Sequence, residues 1–189
     1  MIENLLNLDR ESLIYLNNLG SNNWDFIWLI LTDKLTYTPF FILIIYLIFK
    51  NFSIKQSLFI LLSISLLILF TDQFTNLVKD FFQRLRPCRD DTLNLLLRSI
   101  DVRCGKYGFF SAHASNSIAV SVFIYKLFNT KRYATLNYFL LFWVFVFSYS
   151  RIYLGVHYPL DIILGLIFGF IFGTYSYKIL ERTILIRTK

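Results

Sequence analysis

Long apolar stretches separated by short polar segments dominate the pattern of the chain. Four of them cover residues 57–78, 118–127 with flanks, 133–149 and 158–177. A fifth covers residues 36–49, and residues 24–31 can extend it across a bend at Asp33 and Lys34. A helix of about 20 apolar residues crosses the hydrocarbon core of a bilayer. The pattern therefore predicts an all-α integral membrane bundle of about five or six spans.

The first 19 residues follow a different pattern, in which apolar and polar positions alternate. The apolar positions recur near helical spacing at Leu5, Leu8, Leu13 and Leu16. We expect the opposite face to carry Glu3, Asp9 and Glu11. This pattern predicts an amphipathic helix at the membrane interface, and it lacks the basic start and unbroken apolar core of a secretory signal peptide. We expect one membrane-embedded domain over residues 1–189, with an interfacial N-terminal region over residues 1–35.

Composition supports the membrane assignment and excludes other classes. The chain is 56% hydrophobic, 19% aromatic and only 16% charged, and its mean hydropathy is +0.56. Soluble domains are about 25% charged, and disordered chains are poor in aromatic residues. Nevertheless, 19 Lys and Arg stand against 12 Asp and Glu, which gives a net charge of +7.

Many of these basic residues fall on one side of the predicted bundle. They flank two short connections or follow the last span: Lys50, Lys55, Lys126, Lys131, Arg132, Lys178, Arg182, Arg187 and Lys189. The positive-inside rule assigns that side to the cytoplasm. The opposite side then faces outward, although it carries Arg86, Arg89, Arg103 and Arg151. Those arginines need a separate explanation.

One connection, over residues 87–108, is much longer than the others. It contains both cysteines of the chain, Cys88 and Cys104. These are either two free thiols or a disulfide that closes the loop, if the loop faces an oxidising compartment.

Three polar clusters lie at the outward ends of the predicted helices. The first contains Lys79, Arg84, Arg86 and Pro87, the second is Phe110-Ser111-Ala112-His113, and the third contains Ser150, Arg151, His157 and Asp161. Taken singly, such residues are usually snorkelling anchors or structural histidines. Their convergence on one side of a small bundle favours a functional site, because charged groups near a membrane core are costly.

The chemistry of the clusters indicates phosphoryl transfer. The cations Lys79, Arg86 and Arg151 suit a phosphoryl group, and the helix start at Ser111 and Ala112 offers free N–H groups to an anion. His157 and Asp161 are four residues apart, so a helix places the carboxylate where it can orient the imidazole. An imidazole so oriented can act as a nucleophile, with His113 as the general acid for the leaving oxygen.

The clusters resemble the three motifs of the phosphatidic acid phosphatase type 2 and haloperoxidase superfamily. Lys79 to Pro87 matches the first motif: a lysine, six residues, then Arg-Pro. Phe110 to His113 resembles the second, Pro-Ser-Gly-His, with Phe110 in place of Pro and Ala112 in place of Gly. Ser150 to Asp161 matches the third: Ser-Arg, five residues, His, three residues, Asp. The motifs follow the family's order and define a catalytic core over residues 79–161.

The resemblance implies a role for each matching residue. His157 corresponds to the nucleophile, Asp161 to the residue that orients it, and His113 to the acid. The phosphate-binding positions correspond to Lys79, Arg86, Ser111, Arg151 and the backbone of Ala112. The family needs no metal for phosphatase activity, so we expect neither a metal nor another cofactor. Because alanine resists left-handed dihedrals, Ala112 can alter the geometry of the second motif.

The membrane-bound branch of the family, which acts on lipid phosphates, resembles this chain more than the soluble haloperoxidases do. We therefore expect hydrolysis of a lipid phosphate or diphosphate at the outer boundary of a bacterial inner membrane, without a nucleic-acid partner. Undecaprenyl diphosphate is the first choice. The alternatives are phosphatidylglycerol phosphate, phosphatidic acid or lipid A phosphates, a phosphotransferase, and a transporter or sensor that binds phosphate without turnover.

Two features lie outside the motifs. Asp72, Asn76 and Lys79 share one helix face. Asp72 therefore either supports the cationic site by orienting Lys79 or a nearby arginine, or makes a packing hydrogen bond between helices.

Glycines at positions 165, 169 and 173 continue the series of Asp161 at four-residue intervals. This spacing lets two helix backbones approach closely, and we expect the close partner within the same chain.

Overall fold

The computed structural model describes residues 2–98 and 100–185, so Arg187 and Lys189 lie outside the described residues. Its main helices are α1 (Ile2–Asn18), α2 (Asn22–Thr32), α3 (Thr38–Asn51), α4 (Ile54–Phe82), α5 (Asp91–Asn94), α6 (Ala112–Leu127), α7 (Ala134–Tyr153) and α8 (Pro159–Leu180). The described part contains no strand, only an isolated bridge between Leu85 and Tyr107. The all-α prediction is confirmed.

Three helical segments of the described chain are long and apolar enough to cross a membrane: Ile54–Phe82, Lys131–Tyr153 and Pro159–Thr183. A fourth span results if α2 and Lys34–Asn51, which meet at a bend of 64°, are counted as one broken span. Helix α6 has 16 residues and is shorter than these. The count of five or six spans therefore remains a prediction.

Helix α6 lies at the centre, and α8 packs directly on its backbone. A Cβ added to Gly165 would lie 2.7 Å from the carbonyl oxygen of Ser111. At Gly169 and Gly173 it would come even closer to the carbonyl oxygens of Ser115 and Ala119. The glycines therefore bring α8 against α6 of the same chain, as expected.

Helix α1 differs from the prediction. Its buried face is formed by Asp9, Leu13 and Asn17, whereas Leu5 and Leu8 are exposed. The assignment of Asp9 to the outer polar face is therefore wrong. The reason is a tertiary contact, since Asp9 accepts hydrogen bonds from Arg84 and from the backbone of Leu160.

The two connections that carry basic residues meet at one end of the bundle. The Tyr133 hydroxyl donates to Oδ1 of Asn51 at 2.6 Å, which joins the start of α7 to the end of α3. Nearby, the rings of Phe52 and Phe128 are 6.1 Å apart. The long connection lies at the other end, where a disulfide joins Cys88 and Cys104.

We expect Gly169→Ala to lower the free energy of unfolding by about 1–3 kcal/mol, because its methyl group meets the Ser115 carbonyl. The measurement is thermal unfolding of the detergent-solubilised protein. Ile167→Ala is the control, since this side chain on the same helix is 49% exposed and its truncation leaves α6 untouched. An unchanged melting temperature for Gly169→Ala contradicts the close contact.

Candidate active site

The three polar clusters meet around one cavity. The cavity has a volume of about 320 Å³, and the motif residues that line it are Lys79, Arg86, Ala112, His113 and His157. These residues come from the end of α4, the start of α6 and the connection between α7 and α8. The fold therefore gathers members of all three motifs at one place.

The first motif follows the last turn of α4. Gln83 ends the helix in a left-handed conformation, with a φ of 48°. The chain then pairs with residues 106–108: the Arg86 N–H donates to the Lys106 carbonyl at 3.1 Å, and the Gly108 N–H donates to the Arg84 carbonyl at 2.9 Å. The Arg86 side chain is fixed by its Nε, which donates to the Tyr107 carbonyl at 3.0 Å.

The second motif begins α6. Ser111 is fully buried, its Oγ accepts from the Ala114 N–H at 3.4 Å, and its own N–H donates to the Asp161 carbonyl at 3.0 Å. Ser111 therefore joins α6 to α8 from behind the cavity lining. Phe110 is buried and stacks on Phe168, with ring centroids 5.1 Å apart.

Ala112, which stands where the family motif has glycine, does not need a left-handed backbone conformation. Ala112 is the first residue of α6, and among the described residues other than glycine only Gln83 has a positive φ. The next residue, His113, lies against Phe147, with ring centroids 5.0 Å apart.

The third motif holds the two buried groups of the His-Asp pair. Nδ1 of His157 lies 3.2 Å from Oδ2 of Asp161, which also accepts from the Tyr158 N–H at 3.1 Å. Burial and the positive charges of Arg86 and Arg151 hold the pKa of His157 well below its usual range. The imidazole is therefore neutral near pH 7, which is the nucleophilic form.

Arg151 is held by the end of α2. Its Nη1 donates to Oγ1 of Thr32 at 2.6 Å, and the Ser150 hydroxyl lies 3.0 Å from the same atom. Nε of Arg151 is buried and has no hydrogen-bond partner within the described residues. Thr32 is a supporting residue that the sequence did not indicate, since it belongs to no motif.

The sequence also missed the roles of Arg84 and Asp9. Nη1 of Arg84 donates to Oδ1 of Asp161 at 2.9 Å, and its Nη2 donates to Oδ2 of Asp9 at 2.6 Å. The available signals were the position of Arg84 two residues before the Arg-Pro pair, and the four-residue series of Asp9, Leu13 and Asn17.

Asp72 lines the same cavity as Lys79. Its Oδ2 lies 3.5 Å from Nδ2 of Asn76, one turn further along α4. The support of Lys79 or an arginine by Asp72 stays a prediction.

The cavity continues from the polar groups into the apolar bundle. Ile68 lines it eleven residues before Lys79, which is about 16 Å along α4. Val120 lines it seven residues after His113, about 10 Å along α6. Its other apolar walls include Phe41, Trp143 and Phe147. A phosphate and an attached apolar chain can therefore share one cavity.

Comparison with known proteins agrees with this geometry. The model of the PAP2 superfamily matches residues 57–184, which include all three motifs. A lipid A 4'-phosphatase of Bacteroides thetaiotaomicron is 36% identical over 185 residues, which cover 96% of this chain and 81% of that protein. A lipid A 4'-phosphatase of Porphyromonas gingivalis is 32% identical over 180 residues, which cover 94% of this chain and 75% of that protein.

Two crystal structures have the same fold. One is the first transmembrane PAP2-type phosphatidylglycerolphosphate phosphatase from Bacillus subtilis, with a TM-score of 0.74 and 17% identity over 95% of this chain and 87% of that one. The other is Aquifex aeolicus LpxE, with a TM-score of 0.66 and 22% identity. The match covers 89% of this chain and 93% of that one. With the family match over most of its length, the chain belongs to the PAP2 superfamily, among its membrane-bound lipid phosphatases.

Proposed function

We propose that this protein hydrolyses a phosphate monoester of lipid A through a covalent phosphohistidine at His157. One observation carries the proposal: the buried His157–Asp161 pair borders a cavity that also contains Lys79 and Arg86 and then extends between apolar helices. A site that only bound phosphate has no need of an oriented nucleophile, so this pair argues against a transporter or sensor.

In the first step, Nε2 of His157 attacks phosphorus while the bond between phosphorus and the ester oxygen breaks. Asp161 accepts a hydrogen bond from Nδ1–H of His157, which leaves the lone pair on Nε2. The departing sugar oxygen takes a proton from His113, which lines the same cavity and is protonated when the negatively charged phosphate is bound. The products of this step are the dephosphorylated lipid and the phosphohistidine.

In the second step, water attacks the phosphohistidine. His113, now neutral, takes a proton from the water as the bond between phosphorus and Nε2 breaks. Inorganic phosphate leaves, His157 returns to its neutral form, and His113 carries the proton that it took from the water.

The protein itself supplies the positive charge that a phosphoryl transfer needs. Lys79 and Arg86 line the cavity, and Nε of the buried Arg151 has no hydrogen-bond partner among residues 2–98 and 100–185. The start of α6 adds the backbone N–H of Ala112. These groups can stabilise the transferred phosphoryl group without a metal ion, and Ser111 supports them by fixing the start of α6.

Similarity favours lipid A over the other candidate substrates. The two lipid A 4'-phosphatases match nearly the whole chain, including the N-terminal helices that precede the family match. No observation singles out undecaprenyl diphosphate, the first choice from the sequence, so it serves as a competing substrate in the test below.

We also propose that the protein lies in a bacterial inner membrane with its site facing the periplasm. The basic connections joined by Tyr133 and Asn51 form the end away from the site, and the positive-inside rule assigns that end to the cytoplasm. The disulfide in the long connection fits an oxidising compartment.

We expect His157→Asn to lower phosphate release by at least about 10³-fold, because an amide cannot carry the phosphoryl group. The assay measures inorganic phosphate released from lipid A by detergent-solubilised protein. Trapping the wild-type enzyme in alkali should yield a phosphorylated peptide that contains His157, identified by mass spectrometry. Wild-type protein that binds phosphate tightly but releases none from any lipid would favour the non-catalytic alternative.

Two further measurements test the steps of the mechanism. We expect His113→Gln to lose more activity on lipid A than on para-nitrophenyl phosphate, since a good leaving group needs little help from an acid. EDTA should leave the wild-type rate unchanged. Equal losses on both substrates, or inhibition by EDTA that added metal reverses, would contradict the proposed roles.

A panel of substrates decides which lipid is used. We expect kcat/KM for lipid A bearing a 4'-phosphate to exceed the values for undecaprenyl diphosphate, phosphatidylglycerol phosphate and phosphatidic acid by about tenfold or more, the selectivity of a few well-placed polar contacts. A phosphorylated lipid acceptor added to the assay distinguishes hydrolysis from phosphotransfer. A higher value for undecaprenyl diphosphate would overturn the lipid A assignment while leaving the chemistry intact.

We expect Asp72→Ala to lower kcat by about tenfold, because the cationic wall of the cavity loses a nearby carboxylate. The matched control is Asp101→Ala, which removes a carboxylate from an exposed position of the long connection. An unchanged rate for well-folded Asp72→Ala protein removes Asp72 from the site and leaves it a packing role.

A further inference from the structure

We infer that Asp9 of the N-terminal helix is a positioning residue for the nucleophile, acting through Arg84 and Asp161. The inference rests on the proposed function in one respect, namely that His157 is the group that attacks phosphorus. Its structural basis is a continuous chain of contacts from α1 to His157, and each link is a direct hydrogen bond.

The central link is the guanidinium group of Arg84. Its two terminal nitrogens bind two different carboxylates, Asp161 at 2.9 Å and Asp9 at 2.6 Å. The side chains of both aspartates are fully buried, whereas that of Arg84 is 22% exposed. A planar fork with fixed donors can bridge two carboxylates in one geometry, which a lysine cannot do. Arg84 therefore fixes the distance between α1 and the start of α8.

Arg84 also determines which oxygen of Asp161 faces the histidine. It occupies Oδ1, so Oδ2 is left to accept from Tyr158 N–H and to contact Nδ1 of His157. The guanidinium group lies 3.9 Å from the ring centroid of Tyr158, the residue between His157 and α8. With both oxygens engaged, the carboxylate cannot rotate without breaking hydrogen bonds.

Asp9 holds this arrangement from the other side. Its Oδ1 accepts from the Leu160 N–H at 2.8 Å, in the first turn of α8, while its Oδ2 binds Arg84. Burial raises the pKa of Asp9, and the hydrogen bonds from Arg84 and Leu160 oppose that rise. A carboxylate at a helix N-terminus is favourable, so Asp9 fixes both Arg84 and the helix that carries Asp161.

Helix α1 has further contacts with the bundle that fix the position of Asp9. Leu13 is fully buried, and the Asn17 amide donates to the Tyr153 carbonyl at 2.6 Å at the end of α7. The Asn17 Oδ1 accepts from the Arg98 N–H at 2.8 Å. Thus a segment outside the three motifs, and outside the matched family region, completes the support of the nucleophile.

The first test compares Asp9→Asn with Glu11→Gln. Both substitutions remove one negative charge from α1, but Glu11 is exposed and Asp9 is buried against Arg84. We expect Asp9→Asn to lower kcat about tenfold with KM changed less than twofold, because the orientation of His157 suffers while the phosphate-binding groups stay in place. Glu11→Gln should leave both values unchanged. If Asp9→Asn lowers only the melting temperature, Asp9 has a structural role and the inference is wrong.

The second test asks whether Asp9 acts through Arg84. We expect Arg84→Gln to lower kcat more than Asp9→Asn does, and adding Asp9→Asn to Arg84→Gln to cause little further loss. Arg84→Lys should restore only part of the rate, since an ammonium group keeps the charge without the fork. Arg103→Lys, at an exposed position of the long connection, is the matched control. If the losses of kcat caused by Asp9→Asn and Arg84→Gln multiply in the double variant, Asp9 does not act through Arg84 and the inference is wrong.

A third measurement does not depend on turnover. Diethyl pyrocarbonate modifies neutral imidazoles, and mass spectrometry of the peptides reports the rates at His157 and at His113, the only other histidine. We expect Asp9→Asn and Arg84→Gln to slow modification of His157 severalfold relative to His113, and Glu11→Gln to leave the ratio unchanged. If the wild-type protein hydrolyses no lipid phosphate, the proposed function fails while this ratio still tests the inference. An unchanged ratio in both variants rejects the inference even if the enzyme is active.

Discussion

The close approach of α8 to α6 is the contact on which the rest of the site depends. Three glycines let the α8 backbone lie against the carbonyl oxygens of Ser111, Ser115 and Ala119. The same contact continues outward, where the Ser111 N–H donates to the Asp161 carbonyl. The start of the helix that carries His113 and the start of the helix that follows His157 are therefore fixed to each other. In the proposed mechanism the acid and the nucleophile act on opposite sides of one phosphorus atom, and this packing sets the separation of the two histidines.

Much of this arrangement was predictable from the sequence, because the signals were local or periodic. The motif spacings identified the histidines and cations, and a glycine at every fourth residue indicated which face of α8 packs closely. The family match confirms the superfamily that the motifs suggested. Hydropathy indicated a membrane bundle, but it counted α6 as a span although that helix has only 16 residues and is largely surrounded by other helices. A helix that is shielded from lipid by other helices need not match the bilayer thickness, so its length does not decide whether it crosses the membrane.

The remaining features depend on contacts between distant parts of the chain. Asp9 was assigned to a polar face because an aspartate on an amphipathic helix usually meets water, and its partners lie 75 and 151 residues away. Thr32 gave no signal for the same reason, since its partner Arg151 lies 119 residues further on. The periodicity of such residues can indicate a buried helix face, but it does not identify the distant partner on the other side of that face. Only the packing of α1 and α2 against the motif-bearing helices brings them into the site.

The disulfide between Cys88 and Cys104 stabilises the loop that forms the outer wall of the cavity next to Arg86. The segment that follows Cys104 positions Arg86, because the Lys106 carbonyl accepts from the Arg86 N–H and the Tyr107 carbonyl accepts from Nε of Arg86. A covalent link across sixteen residues restricts the unfolded chain, a contribution of about 3 kcal/mol. In the proposed orientation, oxidation after export stabilises this wall of the cavity, whereas the helices beneath it are stabilised by packing against one another. In that orientation, formation of the complete site is coupled to delivery of this loop to an oxidising compartment.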